Sequence, residues 1–378
     1  MTEFQVLNFT VENILNEISK SEKVLLLMST SVYEIYTPTL MQDAGSHVQL
    51  IMDIPSNPTF QYVKNTIKAL SPTDIPTLII AIGGGSVIDV AKILKLIFLQ
   101  GKIPLRFSNF GELSKLLQNN VSNLLSKENL KLICYPTTTG SGSEYTHFAT
   151  IWNDKDTMQP KESLAHSQML PDRVFYAPNL VKTIPKIQRI SGLLDATSHS
   201  LESLFSRNAT KESLEYVSSA LPNLLRLLRL PIEEWDSEDF LESQISSGIA
   251  GKAINITKTG ICHSISYPLT REFGIPHGIA CSISIPIFLE EIKLQNLEEP
   301  YSEILNKMRL RDIISLKKII DEILSEQEIT KFVRLKLGAA SNFRRIEHMM
   351  VNPNRADNSI IKISDILLNK LRDRIFKH

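Results

Sequence analysis

Four short, mostly apolar runs, VLLLM, VQLIM, TLIIAI and KLICY, constrain the fold of this chain more than any other feature. A strand with one face in water alternates apolar and polar residues, whereas a strand covered on both faces is apolar throughout. Helical patterns separate the runs, so residues from about 23 to 178 read as a doubly wound α/β domain around a parallel sheet. Beyond about residue 186 strand signals disappear. There EYVSSALPNLLRLLRL, ISLKKIIDEILSEQ and SDILLNKLRDRIF carry apolar residues at helical spacing. Two domains are expected, an α/β domain over 1–178 and an all-α domain over 179–378, and 378 residues suffice for two cores. Residues near 100 to 130 read as an irregular or helical insertion.

Lys plus Arg and Asp plus Glu both number 41, so no net field draws the chain to nucleic acid or a membrane. Small molecules and copies of the same chain are the expected partners. Three cysteines, Cys134, Cys262 and Cys281, are too few for a disulfide framework and point to a reducing cytoplasm. The first twenty residues lack the basic and apolar regions of a leader, and no segment has the length of a membrane span.

Two loops follow apolar runs. In TLIIAIGGGSVIDVAK, Gly83, Gly84 and Gly85 join a strand to a helix, with Ser86 placed as its N-cap; such a turn lets backbone N–H groups approach a phosphate. A bare triple glycine is also a common tight turn. In YPTTTGSGSEY, Thr137, Thr138, Thr139, Ser141 and Ser143 offer hydroxyl donors, or bond their own backbone. Together the loops make a plausible dinucleotide crevice at the carboxyl ends of neighbouring strands.

Chemistry concentrates in the second half. Asp195 and His199 in DATSHSLES are four positions apart and share a helix face. Taken alone, this is the spacing of an ordinary surface pair. His263 and His277 lie fourteen positions apart, roughly 21 Å along an unbroken helix, but Pro268, Gly274 and Pro276 interrupt that stretch and let the chain fold back. One carboxylate and three imidazoles suit Fe²⁺ or Zn²⁺, with a coordination position left for a substrate oxygen.

GGGSVID, PTTTGSGSE, DATSH, CHSISYP and GIPHG, in that order, resemble the iron-dependent, or group III, alcohol dehydrogenase family. The resemblance implies a Rossmann-like N-terminal domain and a helical C-terminal domain, an architecture like that of dehydroquinate synthase. It implies the metal ligands Asp195, His199, His263 and His277. It also implies a nicotinamide dinucleotide held by Asn57, Gly84, Gly85, Ser86, Asp89, Thr137, Thr138 and Lys161. The expected activity is hydride transfer between NADPH or NADH and a small aldehyde, in a protein that is often a homodimer.

Finer features, HFATIWNDKD, the TKT of residues 257–259, SYPLT and FGIPHGIAC, look most like the phosphonoacetaldehyde reductase subgroup, which makes 2-hydroxyethylphosphonate. Rival readings are a general primary-alcohol or lactaldehyde-type enzyme with a neutral substrate, a cyclising lyase, and a non-catalytic metal- or nucleotide-binding protein. The chain departs from the family where many members carry a second histidine, four residues after His263. Tyr267 stands there, able to hydrogen-bond substrate or relay a proton but a poor base at neutral pH. Lys258, five residues ahead of His263, is a candidate cation for an anionic substrate, or a lysine that snorkels to solvent; Arg271 and His147 are further candidates. Met28, Ser29, Thr30 and Ser31 end the first apolar run without the acidic residue that would repel a 2′-phosphate, which favours NADPH with NADH tolerated.

Overall fold

All four apolar runs are strands of one parallel sheet in the computed structural model, which describes residues 3–43, 45–70, 75–99, 109–119, 130–153 and 161–377. The chain divides into two units, Met1–Thr138 with Ser143–Thr183, and Thr139–Gly142 with Ile184–His378.

The first unit contains β1 (Glu3–Val6), β2 (Val24–Met28), β3 (Val48–Ile51), β4 (Leu78–Gly83), β5 (Lys131–Pro136), β6 (Phe148–Trp152), β7 (Lys161–Ala165) and β8 (Arg173–Tyr176). Its helices are α1 (Val11–Ile18), α2 (Thr30–Asp43), α3 (Phe60–Ala69), α4 (Gly85–Leu99), α5 (Phe110–Asn119) and α6 (Pro178–Val181). Six strands form the sheet in the order β1-β8-β5-β4-β2-β3, every neighbouring pair parallel. Side chains alternate across it. Leu25, Leu27, Ile79, Ala81, Leu132 and Cys134 join a core with α3 and α4, while Val24, Leu26, Met28, Ile80, Ile82 and Tyr135 join a second core with α1 and α2. Burial on both faces is why the inner runs of β2 and β4 carry no polar alternation, whereas β3, at the sheet edge, keeps Gln49 exposed.

Strands β1 and β8, and the antiparallel hairpin β6–β7, go beyond the four expected runs. EFQV and KESLA carry charged or polar residues at most positions or every other one, and RVFY has only three apolar residues after Arg173, so no long apolar run marks them. Of the insertion expected near 100 to 130, the described part is α5; residues 100–108 and 120–129 lie outside the described residues.

The second unit is helical: α7 (Lys186–Leu204), α8 (Lys211–Arg229), α9 (Ser237–Thr257), α10 (Ile261–Phe273), α11 (His277–Ser282), α12 (Ile285–Leu294), α13 (Ser302–Lys307), α14 (Ile313–Glu326), α15 (Ile329–Leu337), α16 (Ala340–Ile346), α17 (Pro353–Ala356) and α18 (Asp365–Phe376). Capping fixes the starts of α8 and α9, where Thr210 pairs with Ser213 and Asp236 with Asp239 in capping boxes. Helix α7 is the axis of the unit, packed by α8, α9 and α11 and buried at every residue from Ile190 to Leu204. It tolerates that burial because Thr197, Ser198 and Ser200 donate their hydroxyls to the carbonyls of Leu193, Leu194 and Ala196, four residues back. Segment Thr139–Gly142 belongs with this unit through a backbone-to-backbone approach. Gly142 has φ +57°, and a Cβ on it would come 2.4 Å from the Cα of Gly251 in α9.

One expectation needs correcting. Pro268 does not interrupt the stretch between His263 and His277; it sits inside α10. Its ring removes one N–H from the helix, yet buried Ile265 and Leu269 on either side keep the turn packed. The reversal occurs later, at Gly274, which ends α10 in the left-handed conformation (φ 61°), and at Pro276, which precedes α11.

Candidate metal centre

Asp195, His199 and Glu202 project from one face of α7, spaced four and three residues apart. Helix α10 brings His263 to that face, and His277 opens α11. From Asp195 Oδ1 the distances are 3.6 Å to His199 Nε2, 3.4 Å to His263 Nε2 and 3.9 Å to His277 Nε2. Three imidazoles from three helices therefore surround one carboxylate oxygen. His277 reaches it because Gly278 follows: a Cβ there would lie 1.8 Å from the Ser191 carbonyl oxygen, so only glycine lets α11 rest on the α7 backbone. The Gly278 N–H then donates to Ser191 Oγ at 3.2 Å.

Glu202 acts on His263 from the far side. Its Oε2 is 2.5 Å from His263 Nδ1, and its Oε1 accepts from the His263 backbone N–H at 3.1 Å. A carboxylate at Nδ1 assigns the ring proton to that nitrogen and turns the Nε2 lone pair towards Asp195. Burial pushes the Glu202 carboxyl up, but His263 beside it holds it below the usual range. Burial likewise acts to raise Asp195, yet the imidazoles of His199, His277 and His263 hold it well below the ordinary carboxylate range. Burial holds the His199 imidazole down, at about 4, against the pull of Asp195.

These residues fit a divalent cation. Asp195 Oδ1 and His263 Nε2 are buried and make no hydrogen bond, a costly arrangement that a shared cation relieves. Their separations match the roughly 3.4 Å between tetrahedral ligands that each sit about 2.1 Å from one ion. Cys281 joins the group one turn after His277, its Sγ 3.8 Å from His277 Nε2. Ligand atoms of Asp195, His263, His277 and Cys281 all lie within 4.8 Å of one another.

Neither Glu202 nor Cys281 is among the residues expected from the sequence. The signals were present: Glu202 continues the Asp195–His199 face by one further turn, and Cys281 repeats the four-residue interval after His277. Of the other candidates, Tyr267 is buried and its ring lies nearly parallel to that of His277, 14° apart with centroids at 6.0 Å. Lys258 is exposed. It closes α9 at φ 62°.

The candidate cofactor residues lie in the α/β unit: Gly84, Gly85 and Ser86 follow β4, Thr137 and Thr138 follow β5, Asn57 precedes α3, Asp89 is inside α4 and Lys161 opens β7. Gly84 packs against the Thr138 side chain, and the Thr137 N–H donates to the Gly83 carbonyl at 3.1 Å, which joins the two loops. Ser86 is not the N-cap, because α4 already starts at Gly85; its hydroxyl instead donates to the Ser56 carbonyl at 2.6 Å. That bond ties the helix start to the segment holding Asn57, whose Oδ1 accepts from Trp152 Nε1 at 3.0 Å. Lys161 Nζ lies over the Trp152 ring, 5.7 Å from its centroid. Asp89 has structural partners: it accepts from Ser143 Oγ at 2.5 Å and the Thr150 N–H at 2.8 Å, and pairs with Lys92 at 3.5 Å. Burial lowers the fully buried Lys92 ammonium, which also donates to Ser143, Thr146 and the Phe148 carbonyl.

Both halves of the chain match known families. Residues 8–178 match the model of iron-containing alcohol dehydrogenases, and residues 189–347 match the C-terminal model of the Fe-containing alcohol dehydrogenase family. An alcohol dehydrogenase from Thermococcus barophilus is 25% identical over 367 residues, 93% of either chain. A phosphonoacetaldehyde reductase from Streptomyces viridochromogenes is 30% identical over 210 residues, covering 54% of this chain and 51% of that protein. The crystal structure of a sulfoacetaldehyde reductase from Bifidobacterium kashiwanohense in complex with NAD⁺ shares the fold, with TM-score 0.75 at 19% identity over 99% of this chain and 96% of that one. The chain belongs to the iron-containing alcohol dehydrogenase family, and is a metal-dependent oxidoreductase acting on CH–OH groups.

Proposed function

We propose that this enzyme reduces phosphonoacetaldehyde to 2-hydroxyethylphosphonate with NADPH, tolerating NADH. The convergence of three imidazoles on the unpartnered Asp195 Oδ1 carries the reading. In it, Asp195, His199, His263 and His277 hold Fe²⁺ or Zn²⁺, which when bound supplies Lewis-acid polarisation of a carbonyl. The reduced nicotinamide supplies hydride. Residues 1–178 carry the dinucleotide, with Gly84, Gly85, Ser86, Thr137 and Thr138 at the phosphates and Asn57 and Lys161 beside them. Residues 179–378 carry the metal. The carboxylate and imidazoles orient the ion, Glu202 keeps the His263 Nε2 lone pair available, and the Tyr267 hydroxyl passes a proton towards the product oxygen.

Support for the substrate comes from the 30% identical stretch shared with the phosphonoacetaldehyde reductase. Support for NADPH comes from β2, which ends at Met28 and leads directly into α2 with Ser29 and Ser31, whose hydroxyls lie 3.5 Å apart, where a carboxylate would repel a 2′-phosphate. We read the protein as a cytoplasmic homodimer; no helix among the described residues is long and apolar enough to cross a membrane. The rival substrate class, a neutral primary alcohol or aldehyde, is favoured by one observation, the exposure of Lys258.

Rates on phosphonoacetaldehyde and on propanal, followed through the absorbance of the reduced nicotinamide with metal-loaded protein, separate the two. A kcat/KM higher for phosphonoacetaldehyde by about tenfold or more, the ratio that one charged hydrogen bond worth about 1.5 kcal/mol supplies, supports the phosphonate. Equal values, or a preference for propanal, contradict it.

A further inference from the structure

The donors around Asp195 outnumber the family's quartet. Cys281 is fully buried on α11, one turn after His277, and its sulfur is 3.8 Å from His277 Nε2. Adjacent tetrahedral ligands at about 2.1 Å for nitrogen and 2.3 Å for sulfur are separated by roughly 3.6 Å, so this distance suits two donors on one ion. A cysteine near a histidine is by itself no site. Here the opposite wall carries independent marks of a missing cation: the His263 side chain is more than nine-tenths buried and its Nε2 has no hydrogen-bond partner, and the buried Asp195 Oδ1 beside it has none either. The four donor atoms of Asp195, His263, His277 and Cys281 lie within 4.8 Å of one another. Cys262, although adjacent to His263, is outside that group, and Cys134 lies on β5 of the other unit.

We propose that Cys281 is a sulfur donor to the metal. The centre then offers two overlapping four-donor sets that share Asp195, His263 and His277, one completed by His199 and the other by Cys281. Rotating His199 or Cys281 towards the ion exchanges a borderline, neutral ligand for a soft, anionic one. As the metal–sulfur bond forms, the Cys281 thiol releases its proton to solvent and the sulfur donates a lone pair; no electron is transferred. A thiolate favours Zn²⁺ and Co²⁺ over Mn²⁺, which prefers oxygen donors, so Cys281 biases which ion the centre retains. This inference rests on the metal-binding reading above and assigns the chain a ligand outside the quartet.

The test uses the full-length protein loaded with Co²⁺. A near-ultraviolet thiolate-to-cobalt charge-transfer band is expected, retained in Cys262→Ser and lost in Cys281→Ser and Cys281→Ala, with cobalt still bound at one ion per chain in all four proteins. In competition, the Zn²⁺-to-Mn²⁺ affinity ratio of Cys281→Ser falls about tenfold or more below that of the wild type. Wild-type protein that binds cobalt without the band overturns the sulfur donor alone, and needs no variant to fold. A band that persists in Cys281→Ala, or unchanged metal selectivity, overturns it as well. Wild-type protein that binds no cobalt removes the metal-binding reading itself, and this inference with it.

Discussion

Replacing Glu202 with Gln preserves an acceptor for His263 Nδ1–H but removes the charge that keeps the opposite nitrogen basic. Metal affinity is expected to fall about 10- to 100-fold, the usual cost of losing such an outer partner, while the metal-free protein unfolds at nearly the wild-type temperature. Chelator competition and thermal melts check both, and unchanged affinity would mean that Glu202 only packs. His199 gives a second test, in the metal-free state. Burial lowers its imidazole from an ordinary 6.5 to about 4. Between those values the unfolded chain binds a proton that the folded chain refuses, so stability is lost as pH falls from 6.5 to 4 and levels off below. His199→Gln removes the effect. Across that window the wild type should lose about 3 kcal/mol relative to the variant by urea denaturation, and parallel curves would refute it. The quartet was legible in the sequence because Asp195 and His199 share a helix face and His263 and His277 stand in segments with matching motifs. Glu202 and Cys281 were not read there, since a glutamate between Leu201 and Ser203 and a cysteine between Ala280 and Ser282 gain meaning only when α10 and α11 are laid against α7.

Elements meet through residues too small to replace. Gly278→Ala would place a methyl group 1.8 Å from the Ser191 carbonyl oxygen, forcing α11 off α7 and withdrawing both His277 and Cys281. A stability loss of about 1–3 kcal/mol or more is expected, together with loss of metal retention, measured by denaturant unfolding and metal content after dialysis. A variant with wild-type stability and metal content would show that α11 seats by another contact. The long apolar strands and the amphipathic helices α8, α14 and α18 were readable from periodicity, because burial on two faces and on one face leave different patterns. Strands β1 and β8 were not. Each is only four residues long, too short for its pattern to stand out, and β1 is fixed by pairing with β8, which itself pairs with β5. Pro268 misled for a related reason: proline predicts a break from local geometry, whereas packing carries α10 through it.

At the scale of the whole molecule, a bound ion should stabilise the unit that holds it. Free metal at 1,000 times its Kd contributes about 4.1 kcal/mol to that unit. Hydrogen exchange with and without metal is therefore expected to slow in α7, α10 and α11 and to change little in β2, β4 and β5; uniform slowing would place the ion, or its effect, elsewhere. The division into an α/β half and a helical half was visible in the sequence as a change of hydrophobic period. The transfer of Thr139–Gly142 to the helical unit was not, because it depends on Gly142 meeting Gly251 across more than a hundred residues of chain. All of the chemistry proposed rests on one cation at Asp195. Anomalous scattering from a metal-loaded crystal measures that directly: the account predicts a single strong peak about 2.0–2.2 Å from Asp195 Oδ1 and from the Nε2 atoms of His263 and His277, with His199 Nε2 or Cys281 Sγ completing the set. A fully loaded protein whose peak lies away from these side chains would contradict it.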